Sequence, residues 1–412
     1  ANTGRKGPVV IDFPKDMGVL TSSAPLEEEV HLPSYQVTEN PNKEDIQQLS
    51  QYLNHAKQPV VLAGAGINHS KSNALLTEFV THHQIPVVTT LLGLGAIPYE
   101  NPLFLGMGGM HGSYASNMAL TECDLLINLG SRFDDRLASN PKEFAPNAKV
   151  VHIDIDESEI NKVIPTTLGI VADCKKVLET LVTEHQSHAT YKEWVDHCLD
   201  NKSKHPFKYK EANDTFCRPQ EAIEYIGKIT NGEAIVTTDV GQHQMWSAQF
   251  YPFKHHSQWV TSGGLGTMGF GIPSAIGAQL AAPDKTVICF VGDGGFQMTN
   301  QEMALLPEYH LNVKIVLINN GTLGMVKQWQ DKFFNQRFSH SVFNDQPDFI
   351  KMAEAYGVKS FLIDHPNKLK AQLDEAFNYE GPALIEVRIS PAEPVNPMIP
   401  SGKANHEMEG LE

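Results

Sequence analysis

Cysteines, basic residues and long apolar runs are all scarce in this chain, and each scarcity excludes a class of protein. The 412 residues include five scattered cysteines with no Cys-x-x-Cys pair, which is typical of a reduced cytoplasmic protein rather than of a disulfide framework or a zinc site. The net charge of -16 and the lack of a basic cluster argue against a nucleic-acid partner. No apolar run reaches about 18 residues, so we expect no membrane-spanning helix.

What the sequence does contain is a regular alternation of apolar runs and amphipathic segments. "EDIQQLSQYLNHA" has helical spacing and is followed by the apolar run "PVVLAGAG"; the same alternation returns beyond residue 217. This pattern predicts an α/β protein with two doubly wound parallel-sheet domains. The predicted segments are a terminal strand at 1–20, a linker at 21–43, a domain at 44–185, a connection at 186–216, a domain at 217–391 and a tail at 392–412.

Both ends of the chain carry specific expectations. The apolar stretch Val9–Phe13 predicts a strand, and a strand so close to residue 1 suggests the last strand of a domain whose earlier part is absent. The tail has regularly spaced prolines, which favours a passive surface segment.

One stretch, "VICFVGDGGFQM", places an acidic residue where chemistry is expected. It runs as a buried strand into Gly292, Asp293 and two further glycines. Ligands of open parallel sheets bind beyond the carboxyl ends of the strands, and glycines let the backbone approach a phosphate. An aspartate beside a phosphate requires a cation between them, and Mg²⁺ is the natural one.

A second strand end supplies matching oxygen atoms. The apolar run "VKIVLIN" ends at Asn319-Asn320, about one helix and one strand after Asp293. A Gly-Asp-Gly alone is usually a tight turn, and an Asn-Asn alone is usually a loop. Together, after two neighbouring buried strands, they favour a site for a metal and a diphosphate.

These motifs resemble those of the thiamine diphosphate (ThDP) enzymes, and more specifically the large, catalytic subunit of acetohydroxyacid synthase (acetolactate synthase). The resemblance covers essentially the whole chain. It is carried by "RKGPVVIDFPKD", "GMHGSYASNMAL", "GSRFDDR", "VGQHQMW", "TSGGLGTMGFGIPSAIGA", "VGDGGFQM" and "NNGTLGMVKQWQ". It implies a central FAD-binding-type domain and a C-terminal domain that binds ThDP and Mg²⁺, after a largely absent N-terminal pyrimidine-binding domain.

The resemblance also implies site residues in the C-terminal domain. The implied Mg²⁺ ligands are Asp293, Asn320 and Thr322, and the implied substrate contacts are Met325 and Trp329. The implied ThDP contacts are Val240, Gln242, His243, Gly266, Met268, Gly294, Gly295, Asn320, Leu323, Gly324 and Met325. Met268 would be the apolar wedge that bends ThDP. Without the resemblance, His243 would be a loop histidine, Met268 a core methionine and Trp329 a packing aromatic.

In the central domain the resemblance implies a FAD site. Its implied members are Arg5, Gly64, Ala65, Gly66, Thr90, Leu91, Met110, His111, Gly130, Arg132, Asp134, Arg136, Asp154, Ile155, Asp173 and Cys174. Asp154 ends a strand, a usual place for an acceptor of ribose hydroxyls. The Arg132–Arg136 run reads equally well as a surface loop that pairs with itself. FAD in this family is structural for the main reaction.

The implied activity is decarboxylation of pyruvate and joining of the remaining two-carbon unit to pyruvate or 2-ketobutyrate, in branched-chain amino-acid biosynthesis. Trp329 matches the position that favours 2-ketobutyrate. The family's activating glutamate lies in the N-terminal domain, and no glutamate of this chain matches it, so we expect a fragment that is inactive alone. Family members form dimers or tetramers and bind a small regulatory subunit.

Three alternatives stay open at this point. The chain could be another ThDP-dependent carboligase, oxidase or decarboxylase, although "RFDDR" and Trp329 speak against it. It could be a non-catalytic protein that has kept both cofactor pockets. A plain NAD-binding protein would need a complete Gly-x-Gly-x-x-Gly motif, which "GAGINH" does not supply.

Overall fold

Two parallel six-stranded sheets organise the chain in the computed structural model, which describes residues 1–25, 32–33, 35–185, 190–210 and 215–411. Parts of the predicted linker (26–31 and 34) and of the predicted connection (186–189 and 211–214) lie outside the described residues, as does residue 412. Helices flank both sheets, so the predicted α/β class with doubly wound parallel sheets is confirmed.

The first sheet, here the central half of the molecule, has the strand order β3-β2-β1-β4-β5-β6. Its strands are β1 (Pro59–Ala63), β2 (Val87–Thr89), β3 (Phe104–Met107), β4 (Leu125–Leu129), β5 (Lys149–Asp154) and β6 (Leu168–Val171). Its helices are α1 (Lys43–His55), α2 (Ala65–His69), α3 (Asn73–His83), α4 (Tyr114–Glu122), α5 (Cys174–Glu184) and α6 (Lys192–Lys204). Short 3₁₀ helices lie at Leu91–Gly93, Pro141–Glu143 and Glu157–Glu159.

The second sheet, here the C-terminal half, has the order β11-β12-β10-β9-β7-β8. Its strands are β7 (Ile235–Thr238), β8 (Trp259–Thr261), β9 (Val287–Gly292), β10 (Val313–Asn319), β11 (Lys359–Ile363) and β12 (Ala383–Arg388). Its helices are α7 (Pro219–Ile229), α8 (Gln242–Phe250), α9 (Gly271–Ala281), α10 (Asp293–Thr299), α11 (Leu305–Glu308), α12 (Gly324–Phe333), α13 (Phe349–Ala355) and α14 (Leu369–Asn378). Further 3₁₀ helices lie at Asn300–Ala304 and Pro366–Lys368.

The apolar runs that predicted strands are buried on both faces of the second sheet. In β10, Val316 and Ile318 belong to one hydrophobic cluster, whereas Ile315 and Leu317 belong to another. Successive side chains of a strand point to opposite faces, so each cluster covers one face. A strand covered on both sides must be apolar throughout, which explains the uninterrupted run "VKIVLIN".

The strand predicted at Val9–Phe13 is absent from the described structure. This stretch is irregular, and Val10 is 91% exposed and Ile11 80% exposed. A strand needs a neighbour that satisfies its backbone groups, and no sheet of the described residues includes this stretch.

The prediction of a surface tail is wrong for its first part. Val395, Met398 and Ile399 are fully buried, and the backbone N–H of Ile399 donates to the carbonyl of Met110 at 2.8 Å. The tail therefore lies against both halves of the molecule. Prolines do not prevent this burial, because side chains of the surrounding helices satisfy the remaining backbone groups.

The segment Asn300–His310 contains two short helices rather than one continuous helix. A 3₁₀ helix ends at Ala304 and the short helix α11 follows it. Pro307 lies within α11, and its ring removes a donor and crowds the preceding turn, which accounts for the irregularity.

The cysteines and the helices bear on two of the expectations from composition. All five cysteines are free and buried in the described part of the chain. No helix among the described residues is long and apolar enough to cross a membrane.

Candidate active site

Three helices begin side by side at the carboxyl edge of the second sheet. Strand β9 pairs with β7 and with β10, and α8, α10 and α12 follow these three strands. Among the described residues, the positions that precede these helices, Gly241, Gly292 and Leu323, provide no side-chain cap. The first backbone N–H groups of a helix have no intrahelical partner, so uncapped starts favour bound anions.

Asp293 is the first residue of α10 and is almost completely buried. Its carboxylate accepts hydrogen bonds from the backbone N–H of Gly294 at 2.9 Å and from Gln346 Nε2 at 2.7 Å. Burial nevertheless raises the pKa of Asp293 to about 6, against the opposing effect of these hydrogen bonds. A buried carboxylate with a raised pKa gains from a positive partner.

The other two predicted Mg²⁺ ligands lie next to Asp293. The backbone N–H groups of Gly321 and Thr322 act to lower the pKa of Asp293, and the Gly321 N–H donates to Asn319 Oδ1 at 3.1 Å. Asn320 Oδ1 accepts from the backbone N–H of Thr322 at 3.1 Å. The side chain of Asn320 and the 321–322 turn are thus brought together with Asp293.

The chemistry of this donor set suits a hard cation. Among the described residues there is no group of three or more His, Cys, Asp and Glu side chains with metal-binding geometry. A cation held here would depend on one carboxylate, one amide oxygen and backbone carbonyls. Mg²⁺ commonly takes one or two carboxylates and completes its shell with phosphate oxygens and water.

His243 is buried in the first turn of α8. Burial lowers its pKa to about 4, while Asp239 and a hydrogen bond to the Asp239 backbone act in the opposite direction. The imidazole is therefore neutral at pH 7. Its Nε2 atom has no hydrogen-bond partner among the described residues, so this nitrogen is open to a partner that the chain itself does not supply.

Gln242 is held by protein groups rather than left free. Its Oε1 atom accepts from Asn320 Nδ2 at 3.0 Å, and its Nε2 atom donates to Gln328 Oε1 at 2.9 Å and to the carbonyl of Glu393 at 3.0 Å. A contact between Gln242 and a diphosphate would therefore use its backbone N–H at the start of α8. The Gln242 side chain packs directly against Gly324, where any larger residue would clash, because a Cβ at position 324 would lie 2.0 Å from Gln242 Oε1.

Asp239 is a site residue that the sequence analysis did not identify. It follows β7 and is fully buried. Its Oδ2 atom accepts from the backbone N–H groups of Gly269 at 2.8 Å and Gly271 at 2.9 Å, and Oδ1 accepts from Val240. Asp239 thereby fixes the loop that carries Met268. Its position at a strand end in "TTDVG" repeats the Asp293 pattern, so a signal was present.

A cavity of about 960 Å³ lies between the two halves and joins both predicted sites. From the predicted ThDP and substrate sets its wall includes Val240, Gly266, Met268, Met325 and Trp329. From the predicted FAD set it includes Arg5, Ala65, Gly66, Thr90, Leu91, Met110, His111, Gly130, Arg132, Asp134, Arg136, Asp154, Ile155, Asp173 and Cys174. Gly64 lies just behind the wall, and a Cβ there would lie 2.2 Å from the carbonyl oxygen of Gly130.

The remaining ThDP candidates sit at the sheet edge rather than in the wall of this cavity. They are Gln242, His243, Gly294, Gly295, Asn320, Leu323 and Gly324. The candidate site therefore has two parts. One part, at the three helix starts, suits an anion, and the other part, near Met268 and Met325, is apolar. The two parts match a ligand with a charged tail and a ring system.

Charged residues of the predicted FAD site differ in how they are engaged. Arg5 forms ion pairs with Asp156 at 2.8 Å and Glu159 at 2.6 Å. Arg136 lies 3.4 Å from Asp135, and both side chains are mostly exposed. Arg132 lines the cavity and has no ion pair among the described residues, so no carboxylate there engages its guanidinium.

Two other candidates at this site have structural duties. Asp173 caps α5 by accepting from the backbone N–H of Lys175. The His111 Nδ1 atom lies 3.1 Å from the carbonyl of Pro397, and burial lowers the pKa of His111 to about 4. His111 therefore connects the cavity wall to the tail.

Comparison with known proteins gives two family matches. The description "Thiamine pyrophosphate enzyme, central domain" matches residues 46–181, and "Thiamine pyrophosphate enzyme, C-terminal TPP binding domain" matches residues 239–387. The second match contains the sheet edge that holds Asp293 and Asn320.

Curated relatives match over nearly the whole chain. The acetolactate synthase large subunit of Lactococcus lactis subsp. lactis (strain IL1403) is 52% identical over 411 residues, 100% of this chain and 71% of the relative. The corresponding subunit of Haemophilus influenzae is 40% identical, over 99% of this chain and 72% of the relative. The isozyme 2 large subunit of Escherichia coli (strain K12) is 40% identical, over 99% and 73%. The chain therefore belongs to the acetolactate synthase large-subunit family of thiamine diphosphate enzymes.

Proposed function

We propose that this protein is the catalytic subunit of an acetolactate synthase. It decarboxylates pyruvate and joins the remaining two-carbon unit to a second pyruvate or to 2-ketobutyrate, for valine, leucine and isoleucine biosynthesis. The observation that carries this proposal is the convergence of three uncapped helix starts on Asp293 and Asn320, together with a cavity whose wall includes Gly241 at one of these starts, Met268 and Trp329.

ThDP and Mg²⁺ fit the sheet edge of the C-terminal half. The side chains of Asp293 and Asn320 and the carbonyl of Thr322 would hold Mg²⁺, and backbone N–H groups at the starts of α8, α10 and α12 would receive the diphosphate. The neutral imidazole of His243 offers its unpaired Nε2 atom to the same ligand. When bound, ThDP supplies the electron sink for decarboxylation.

The apolar part of the cavity orients the reacting groups. Met268 and Gly266 would contact the aminopyrimidine ring, with Met268 as the wedge whose loop is fixed by Asp239. Met325 and Trp329 project from α12 into the same space, where they would contact the 2-ketoacids. Apolar side chains at these positions exclude water from the reacting centre.

The central half would hold FAD in a structural role. The start of α2 is uncapped at Gly64, Arg132 faces the cavity, and Asp154 at the end of β5 is available for ribose hydroxyls. We also propose a homodimer or tetramer that binds a small regulatory subunit, because the relatives are named as large subunits.

The test is a product analysis of the full product of the gene that encodes this chain. The protein is supplied with ThDP, Mg²⁺ and FAD, first with pyruvate and then with pyruvate and 2-ketobutyrate. We expect acetolactate in the first assay and mainly acetohydroxybutyrate in the second. Acetaldehyde or acetate as the main product would favour a decarboxylase or an oxidase. No product together with intact cofactor binding would favour the non-catalytic alternative.

A further inference from the structure

A row of three carboxamides connects the C-terminal tail to the predicted Mg²⁺ site: Gln328 and Gln242 are buried, and Asn320 is partly buried. Asn320 Nδ2 donates to Gln242 Oε1 at 3.0 Å, and Gln242 Nε2 donates to Gln328 Oε1 at 2.9 Å. Gln328 then pairs with both backbone groups of Val395. Its Nε2 atom donates to the Val395 carbonyl at 3.1 Å, and its Oε1 atom accepts from the Val395 N–H at 2.9 Å.

The tail end of this row determines its direction. A backbone N–H can only donate and a carbonyl can only accept, so Val395 fixes which end of the Gln328 carboxamide is oxygen. The carbonyl of Glu393 accepts from Gln242 Nε2 at 3.0 Å and fixes the second carboxamide in the same sense. Both hydrogens of Gln242 Nε2 are then used, and its oxygen must face Asn320.

The orientation of Gln242 affects which atom of Asn320 faces the predicted cation. Because Gln242 presents an oxygen, Asn320 turns its nitrogen toward Gln242 and its Oδ1 atom toward the 321–322 turn beside Asp293. A flipped Asn320 would present an N–H₂ group to the cation, which binds only oxygen donors. The row that begins at the tail and the Thr322 N–H, which donates to Asn320 Oδ1, therefore favour the same orientation of the Asn320 carboxamide.

The tail segment is well held at this point. The Glu393 carboxylate forms an ion pair with Arg218 and accepts from Gln220 Nε2 at 3.0 Å. Val395 is fully buried. Gln328 lies one helical turn after Gly324 in α12, so both face Gln242, as side chains four apart in a helix do.

We propose that Gln242 and Gln328 are positioning residues. The backbone groups at 393–395 orient their carboxamides, and Gln242 in turn orients Asn320 so that its oxygen faces the cation. This inference rests on the proposed Mg²⁺ site. It deepens that proposal, because it makes cation affinity depend on tail residues that do not touch the cation.

The experiment measures the dissociation constant of Mg²⁺ by isothermal titration into the full-length protein saturated with ThDP. For Gln242→Leu we expect about 10- to 100-fold weaker Mg²⁺ binding, the range for lost supporting contacts of a metal ligand. For Gln328→Leu we expect a smaller loss, because the Glu393 carbonyl still orients Gln242. The double variant should bind no more weakly than Gln242→Leu, since both changes interrupt one row.

Gln249→Leu is the matched control. Gln249 also lies buried in α8 and donates to the carbonyls of Asn396 in the tail at 3.1 Å and of His111 at 3.0 Å, but it forms no hydrogen bond with Gln242 in the described structure. We expect this variant to lower the unfolding midpoint and to keep Mg²⁺ affinity within about twofold.

The outcomes separate the inference from the proposed function. If the unsubstituted protein shows no Mg²⁺ binding in the presence of ThDP, the proposed cofactor site itself is wrong. If it binds Mg²⁺ and Gln242→Leu binds equally well, the inference is overturned. An equal loss in Gln249→Leu would also overturn it, because affinity would then follow tail stability rather than amide orientation.

Discussion

The central and C-terminal halves share a six-stranded parallel sheet but finish their carboxyl edges differently. In the central half the short helix at Leu91–Gly93, α4 and α5 are capped by their own Thr90, Ser113 and Asp173. In the C-terminal half α8, α10 and α12 begin without side-chain caps among the described residues. Side chains close these three starts of the first edge, although α2 of the same edge is uncapped at Gly64, whereas none of the three starts of the second edge has such a cap.

The charged groups follow the same division. Asp239 and Asp293 are buried at the edge of the second sheet, while in the central half Asp154 is buried and Arg132, Asp134 and Arg136 are exposed at the cavity. Buried charge requires a partner of opposite sign and fixed geometry. We therefore expect the C-terminal half to bind its ligand through strong, localised electrostatics, and the central half to bind through many weaker contacts.

Removal of one buried carboxylate should have the largest effect. We expect Asp293→Ala to weaken ThDP binding in the presence of Mg²⁺ by about a thousandfold, or roughly 4 kcal/mol, since it removes the charged ligand of the cation. Titration calorimetry measures this loss, and flavin absorbance should show unchanged FAD content. Asp345→Ala, which removes an exposed carboxylate close to Gln346, is the control. If Asp293→Ala lost FAD as well as ThDP, the expectation that the two halves bind their cofactors independently would be wrong.

The raised pKa of Asp293 predicts that the free energy of unfolding of the cofactor-free protein depends on pH, an effect somewhat smaller than the first. Its folded pKa of about 6 exceeds the usual 3.8, so the folded state holds a proton that the unfolded state has lost. Stability should therefore fall as pH rises from about 4 to about 6, by about 3 kcal/mol in total. Asp293→Asn should be more stable than the parent above pH 6 and similar to it near pH 4.

Urea unfolding at pH 4.5 and pH 7.5 measures this difference. Mg²⁺ with ThDP should reverse it, because the cation requires the ionised carboxylate and competes with the proton. A parent protein that is as stable as Asp293→Asn at pH 7.5 would show that the buried charge is already compensated.

The sequence predicted the centre of each sheet better than its margins. "TVICFVG" and "VKIVLIN" were identified as strands because both faces are buried, and their adjacency placed Asp293 near Asn320. The strands β3, β6 and β11 lie at sheet edges and have no uninterrupted apolar run of this kind. They are short or interrupted by Gly106, Gly169 and Ser360, so their pattern is weak.

Site residues supplied by distant segments were also beyond the sequence. Gln346 reaches Asp293 from 53 positions further along the chain, and no periodicity links the two. Gln328 and Val395 meet only because the tail folds back between the halves. Local patterns predict which strand ends approach each other, but they do not predict which distant side chains form hydrogen bonds with the site residues.

The smallest expected effect concerns the exposed charges of the central half. Arg132 faces the cavity without an ion pair in the described structure, whereas Arg136 lies 3.4 Å from Asp135. We expect Arg132→Ala to weaken FAD binding by about tenfold, as loss of one exposed phosphate contact would, with ThDP affinity unchanged. Arg136→Ala is the matched control and should have less effect, because its charge is already shared with Asp135. Flavin fluorescence during dialysis measures both variants. Equal losses from the two would mean that the loop binds FAD as a unit, and no loss from either would favour a surface loop paired with itself.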